Sequence, residues 1–288
     1  MAGAERPVKA LNRPTILLIA AAALGLTAPA LASPPPLQLE GRLIQAGYAI
    51  GRTEPGAQVF IDGQPAGAAS TDGLFIVGFD RDSPAGVDLR VKTASGETDR
   101  RLEIAPGVFD IQRIDGLPED QVTPSDPVLL ARITAERQRK AVGFASHVDG
   151  TSFAGGFILP VEGARLTARF GGQRVLDGEP KQPHYGDDLA APVGTPVVAP
   201  AGGVVAFAET GLHYEGGLIM IDHGQGLISL YLHLSRVDVA VGQSVVRGQL
   251  IAAVGQEGRA TGPHLCWRLK WRGRNLDPLL LVHGSPIE

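Results

Sequence analysis

Apolar and polar positions alternate through residues 37–105, between evenly placed turn signals. Gln58-Val59-Phe60-Ile61, Leu74-Phe75-Ile76-Val77 and Val87-Asp88-Leu89-Arg90-Val91 read as short strands. The Asp-Gly pairs at 62–63 and 72–73 punctuate them as hairpins or loops. This pattern predicts a small β-sandwich. Residues 106–125 carry no period and read as irregular. From Ser125 to about Val142 the period lengthens to that of a helix, with Val128, Leu129 and Ile133 on its apolar side. Asp126 near its start and Arg137, Arg139 and Lys140 near its end suit the helix dipole, and Thr123-Pro124-Ser125-Asp126 is a capping sequence. From Phe144 to Val282 strand-length apolar runs return at 219–221, 227–232 and 250–254, separated by Gly-rich turns. The expectation is a mainly β chain in four parts. Residues 1–32 are a leader, 33–118 a small β-sandwich, 119–143 a helical linker that connects or braces, and 144–288 a C-terminal antiparallel β-sheet domain.

The leader is unlike the rest. Arg6, Lys9 and Arg13 precede an apolar stretch from Ile16 to Leu26, and Ala30-Leu31-Ala32 offers a small-residue cleavage site. The stretch is short for a bilayer span and runs into Ser33-Pro34-Pro35-Pro36, which predicts a signal peptide, export, and a mature chain starting near Ser33. Composition agrees with many turns and short strands: 38 Gly, 22 Pro and only 5% aromatics. The formal charge is −4, and losing Glu5, Arg6, Lys9 and Arg13 with the leader takes it to about −6. Such a surface gives no footprint for nucleic acid and no attraction to anionic lipid. The single cysteine, Cys266, cannot close an internal disulfide. In an oxidising compartment it calls for burial or a metal.

Five of the seven histidines lie between 184 and 264. In His184-Tyr185-Gly186-Asp187-Asp188, a His and an Asp four apart face the same way on an extended chain, and Pro183 and Gly186 argue against a helix there. His264-Leu265-Cys266 is a second same-face pair, and His233 sits in the β-run Tyr231-Leu232-His233-Leu234. Catalytic zinc commonly takes three protein ligands and leaves a fourth position open. His184, Asp188 and Cys266 complete such a set, with His233 and His264 left for proton transfer and transition-state stabilisation. Each pair alone is an ordinary surface or structural feature; their joint occurrence, with no competing cluster, points to a metal. His223, ahead of Gly224-Gln225-Gly226, reads as ordering a turn, or else as an outer hydrogen bond to a ligand. His147, His213 and His283 read as surface residues, and Tyr185 and Arg174 as groove lining or packing. The sandwich holds no His or Cys and reads as a spacer or protein-contact module. Residues 239–249 resemble the hairpin of lipoyl or biotinyl carrier domains but lack the lysine at the turn, so a carrier role is set aside.

The blocks Phe170-Gly171-Gly172-Gln173-Arg174, Pro183-His184-Tyr185-Gly186-Asp187-Asp188-Leu189-Ala190-Ala191-Pro192-Val193-Gly194-Thr195-Pro196, Ile221-Asp222-His223-Gly224, Tyr231-Leu232-His233-Leu234-Ser235 and Thr261-Gly262-Pro263-His264-Leu265-Cys266-Trp267 together resemble the lysostaphin/LytM-type zinc endopeptidases of cell-wall metabolism. The resemblance covers roughly residues 160–282. It implies the antiparallel β fold of that family and one Zn2+ per chain on His184, Asp188 and Cys266. His233 and His264 become the catalytic histidines. It further implies hydrolysis of peptide cross-links in bacterial peptidoglycan, in the periplasm or outside the cell. Its peptide stems are then the substrate, and other wall hydrolases or envelope proteins are candidate partners; no nucleic acid and no lasting membrane span are expected. The family's third ligand is a histidine, and here that position holds Cys266. A thiolate is an accepted zinc ligand, but with Asp188 it formally cancels the metal's charge, so a weaker Lewis acid and a slower or alkaline-shifted hydrolase are expected. The alternative function is a weak or inactive relative that activates other wall hydrolases.

Overall fold

A computed structural model of the protein describes residues 1–3, 37–116 and 124–282. The predicted signal peptide, apart from its first three residues, lies outside the described residues, as do Thr123 and His283. Residues from 37 onward belong to one compact unit, Ser33–Glu288. Among the described residues no helix is long and apolar enough to cross a membrane.

The alternating segment forms two small antiparallel sheets. One contains β1 (Gln38–Arg42), β2 (Tyr48–Arg52) and β5 (Leu74–Gly78), in the order β1-β2-β5. The other contains β3 (Gln58–Ile61), β4 (Gln64–Ala68), β6 (Gly86–Lys92) and β7 (Glu97–Glu103), in the order β4-β3-β6-β7. Along β6, Val87, Leu89 and Val91 are buried while Asp88, Arg90 and Lys92 are exposed. That is the two-residue period of a strand with one face on a core. The stretch expected to be irregular contains a strand, β8 (Ile111–Ile114), which pairs in parallel with β10 (Gln173–Leu176). Its partner is remote in sequence, so no local pattern announces it. β11 (Glu179–Pro180) completes that small sheet.

The helix, α1, spans Pro127–Phe144. Asp126 caps it by accepting from the amides of Val128 and Leu129, and Pro127 occupies the first turn, where its missing N–H costs nothing. It runs past Val142, so Arg139 and Lys140 lie one turn inside its end and do not complement the dipole there. They act sideways instead. Arg139 pairs with Glu209 at 3.1 Å, Lys140 with Glu215, and Arg132 Nη2 donates to the Gly211 carbonyl at 2.6 Å.

The C-terminal region is one ten-stranded antiparallel sheet. Its main path comprises β9 (Arg165–Ala168), β12 (Asp187–Ala190), β14 (Gly203–Leu212), β15 (Gly216–Asp222), β16 (Leu227–Val237), β17 (Ser244–Val245) and β19 (His264–Trp271). They run in the order β17-β14-β15-β16-β19-β12-β9, with β13 (Pro196–Val198), β18 (Leu250–Val254) and β20 (Arg274–Leu276) attached to them. β15 is buried at every position and β16 through His233 and Leu234, because both faces of the sheet are covered. Ile219, Ile221, Tyr231, Leu265, Trp267 and Leu269 share one hydrophobic cluster with Phe75, Val77 and Leu89 of the sandwich. On the opposite face Leu218, Met220, Leu230, Leu232 and Cys266 pack with Phe207. Here α1 comes so close that a Cβ on Gly143 would lie 2.8 Å from both Met220 Sδ and Phe207 Cβ.

Polar links reinforce the join between sandwich and sheet. The Gln225 carboxamide donates to the Leu74 carbonyl at 2.9 Å and accepts from the Ile76 amide at 3.2 Å. Asn275 N donates to Asp80 Oδ2 at 2.8 Å, and Arg81 Nε to the Gly171 carbonyl at 2.7 Å.

Candidate metal centre

In the β12–β19 ladder Asp188 lies directly opposite Cys266, and Ala190 opposite His264. Cys266 and His264 are two residues apart on β19, so their side chains share the face that Asp188 points to. His184 precedes β12. Its turn is held by His184 N donating to the Gly172 carbonyl at 2.8 Å and Gly171 N donating to the His184 carbonyl at 2.7 Å. The following turn needs a glycine, since a Cβ on Gly186 would stand 3.0 Å from Cys266 Sγ and 2.8 Å from the Trp267 carbonyl. The result is a convergence of three donors. His184 Nε2 is 3.1 Å from Asp188 Oδ1 and 3.3 Å from Cys266 Sγ, and the ligand atoms of all three lie within 4.8 Å of one another.

Those distances suit a metal. Tetrahedral zinc with N, O and S ligands places neighbouring ligand atoms roughly 3.3–3.7 Å apart. Asp188 Oδ1 is buried and, despite its closeness to His184, has no aligned hydrogen-bond donor. His184 and Cys266 are each only 1% exposed. Three lone-pair atoms facing one buried point, with Asp188 Oδ1 left without a partner, is what a cation site requires. Burial favours the neutral acid at Asp188, but the adjoining His184 ring and the charge of Arg174 hold its carboxyl well below the usual range.

The other two histidines flank this point. His233 is the residue at which β16 changes neighbours: Leu232 pairs with Cys266 on β19, while Leu234 pairs with Val254 on β18. It adopts φ 65°, the left-handed region, and its amide donates to the Glu215 carbonyl at 2.8 Å. A non-glycine residue held there costs on the order of 1 kcal/mol, which the surrounding ladders must offset. His233 Nδ1 donates to the Glu257 carbonyl at 2.7 Å, and His264 Nδ1 to the Gly262 carbonyl at 2.8 Å. Each ring therefore keeps its Nε2 lone pair for chemistry. Their centroids are 4.7 Å apart, and His264 Nε2 is 3.6 Å from Asp188 Oδ1. Burial pushes His233 down to about 4 and His264 down as well, so both are neutral at pH 7.

Two features of the site were not read from the sequence. Arg268, on the same face of β19 as Cys266, donates Nε to Cys266 Sγ at 3.3 Å; the alternation of the strand could have revealed it. Asp187 and Asp277 form a buried carboxyl pair, and burial beside the other acid raises Asp187 well above the carboxylate range. Asp187 also accepts from Phe170 N at 3.0 Å, so the pair anchors β12 next to Asp188. No local signal connects residues 187 and 277. The remaining histidines are placed elsewhere. The His223 ring is buried, donating from Nδ1 to the Gly202 carbonyl at 2.6 Å and meeting Ser229 Oγ at 2.7 Å through Nε2. His147 is exposed beside Arg272, and the His213 ring meets the Tyr214 ring edge-on. A cavity of about 240 Å³ opens beside His184, lined by Arg174 and Tyr185 among others.

Residues 182–278, a span holding all five converging side chains, match Peptidase family M23. That region of the chain is of M23 type. The M23 region is 45% identical over 98 residues to the peptidoglycan DD-endopeptidase ShyA of Vibrio cholerae, covering 34% of this chain and 22% of ShyA. It is 38% identical over 133 residues to the DD-carboxypeptidase/endopeptidase Mpg of Neisseria meningitidis, covering 46% of this chain and 30% of Mpg. The chain thus spans less than a third of the length of these relatives. A Pseudomonas aeruginosa crystal structure assigned to the M23 peptidases superposes with a TM-score of 0.65 at 29% identity, over 85% of this chain and 96% of that one. Coverage that wide must extend beyond the M23 region into the sandwich. The mainly β fold of lysostaphin/LytM type expected from the sequence is the fold observed.

Proposed function

We propose that this chain is a zinc-dependent endopeptidase that hydrolyses peptide cross-links of bacterial peptidoglycan. The observation that carries the reading is the convergence of His184, Asp188 and Cys266 beside two neutral histidines whose only uncommitted nitrogen is Nε2. The names of ShyA and Mpg supply the substrate class. One zinc per chain would be held by His184, Asp188 and Cys266, and it supplies Lewis-acid activation for amide hydrolysis. The protein's own part is proton handling and positioning. One of His233 and His264 takes the proton of the attacking water on its Nε2 and, as the imidazolium so formed, passes it to the departing amine, a contribution typically worth 10²–10⁴-fold. Their Nδ1–H bonds to carbonyls fix the tautomer that this requires. Arg268 offsets part of the charge that Cys266 adds, since its Nε–H draws electron density from the sulfur. The Lewis acidity lost by exchanging an imidazole for a thiolate is therefore smaller than a count of ligands alone implies. Relatives acting on peptidoglycan imply an extracytoplasmic location, and the leader at 1–32 would deliver the chain there.

Metal analysis of the purified protein and digestion of purified sacculi test the reading together. Near one zinc per chain, with soluble peptide fragments released, both lost in Cys266→Ala, is the expected result. A metal-free protein that releases nothing and instead stimulates a partner amidase would establish the activator role.

A further inference from the structure

The cavity beside the metal centre is walled by cations. Arg174 enters from β10, Lys181 from the turn after β11, Arg259 from the loop between β18 and β19, and Arg268 from β19. They surround a volume of about 240 Å³ next to His184 and Tyr185, and no Asp or Glu lines it among the described residues. Arg174 Nε is buried with no hydrogen-bond partner. Cys266 and Asp188 are the groups whose negative charge acts on Arg174, and the same two act on Arg268. These are the charges that zinc would cancel, one thiolate and one carboxylate against +2. Lys181 already pairs with Glu179. Glu215, the other acid acting on Arg259 and Arg268, is bound to Lys140. A metal-loaded site therefore leaves the Arg174 guanidinium, with its unpaired Nε, under-compensated among other cations in a partly buried cavity, which is costly unless an anion enters. The guanidinium fork matches a carboxylate in two parallel bonds.

We infer that this cavity is a carboxylate-binding subsite, holding a free carboxylate of the substrate peptide beside the bond presented to the metal centre, with Arg174 as its specificity-determining side chain. The inference rests on the peptidase reading and narrows its substrates to peptides with an acid adjoining the scissile bond. That acid is either the C-terminal carboxylate of the neighbouring residue or a side-chain carboxylate on it.

The test uses the zinc-loaded full chain and three versions of one short stem peptide: both acids free, the C-terminus amidated, and the side-chain acid amidated. The free-acid peptide should show a KM roughly ten- to a hundredfold lower than one of the two amides, and the amide that loses affinity identifies the carboxylate bound. In Arg174→Gln the ratio of acid to amide should collapse toward one, and in Arg174→Lys part of it should survive. Equal KM values for all three peptides with the wild-type chain overturn the subsite while leaving the peptidase reading intact, and this arm needs no variant to fold. If sacculi and all three peptides stay uncut, the peptidase reading fails, and calorimetric titration decides the subsite alone: an acid peptide binding no tighter than its amides overturns it.

Discussion

The sandwich and the large sheet are both built from short antiparallel strands around a shared core, yet they treat polar groups in opposite ways. In the described sandwich Thr53 is the one buried polar residue, and its charges point outward in exposed pairs such as Arg90–Asp99 and Arg101–Asp88. Pairs of that kind add little to stability. The sheet buries His184, Asp187, Asp222, His223, Ser229 and His233. Each such group costs free energy unless it is bonded, and most are: Asp222 accepts from Ser146 Oγ and Val148 N, and His223 from Ser229. A strand with one wet face can keep its polar side chains in water. One covered on both faces cannot, and its polar groups become organised chemistry.

The comparison can be broken first through stability. Phe75→Ala removes a fully buried ring from the sandwich and should cost about 3–5 kcal/mol in urea unfolding, while the folded fraction keeps its zinc. Loss of zinc at unchanged stability would show that the sandwich shapes the metal centre directly. Acid should act on the sheet alone. Burial pushes His223 down to about 4 from 6.5, so between those values the unfolded chain binds a proton that the folded chain refuses. Stability then falls as pH drops from about 6.5 to about 4. In chelator, His223→Gln should unfold with a visibly flatter pH dependence over that window; an unchanged slope would contradict the assignment. The smallest effect expected is at Arg268→Gln, which removes the N–H bond to Cys266 Sγ. Zinc affinity, read by chelator competition, should fall about 10- to 100-fold with no change in stoichiometry.

What the sequence disclosed follows the same division. β6 was legible because its alternation is local, and the His184, Asp188, His264 and Cys266 pairs because each lies within a few residues on extended chain. β8 was missed because only its parallel pairing with β10 makes it a strand. Arg139 and Lys140 were assigned to the helix dipole, but the hairpin they actually reach, at Glu209 and Glu215, is distant in sequence. His233 was recognised as a residue of interest, yet its left-handed backbone comes from β16 passing between two neighbouring strands, and no tetrapeptide encodes that.

The bond between Gln225 and β5 has a consequence for how this protein is inherited. β5 borders its sheet, and a loop amide from the other half of the chain stands in for the next strand by answering Leu74 O and Ile76 N. Cut away from that loop, the N-terminal half would present an open, adhesive border to its own copies. Recombination that shuffled the C-terminal half alone onto other proteins would leave an aggregating remnant behind, so the two halves are best passed on as a single cassette.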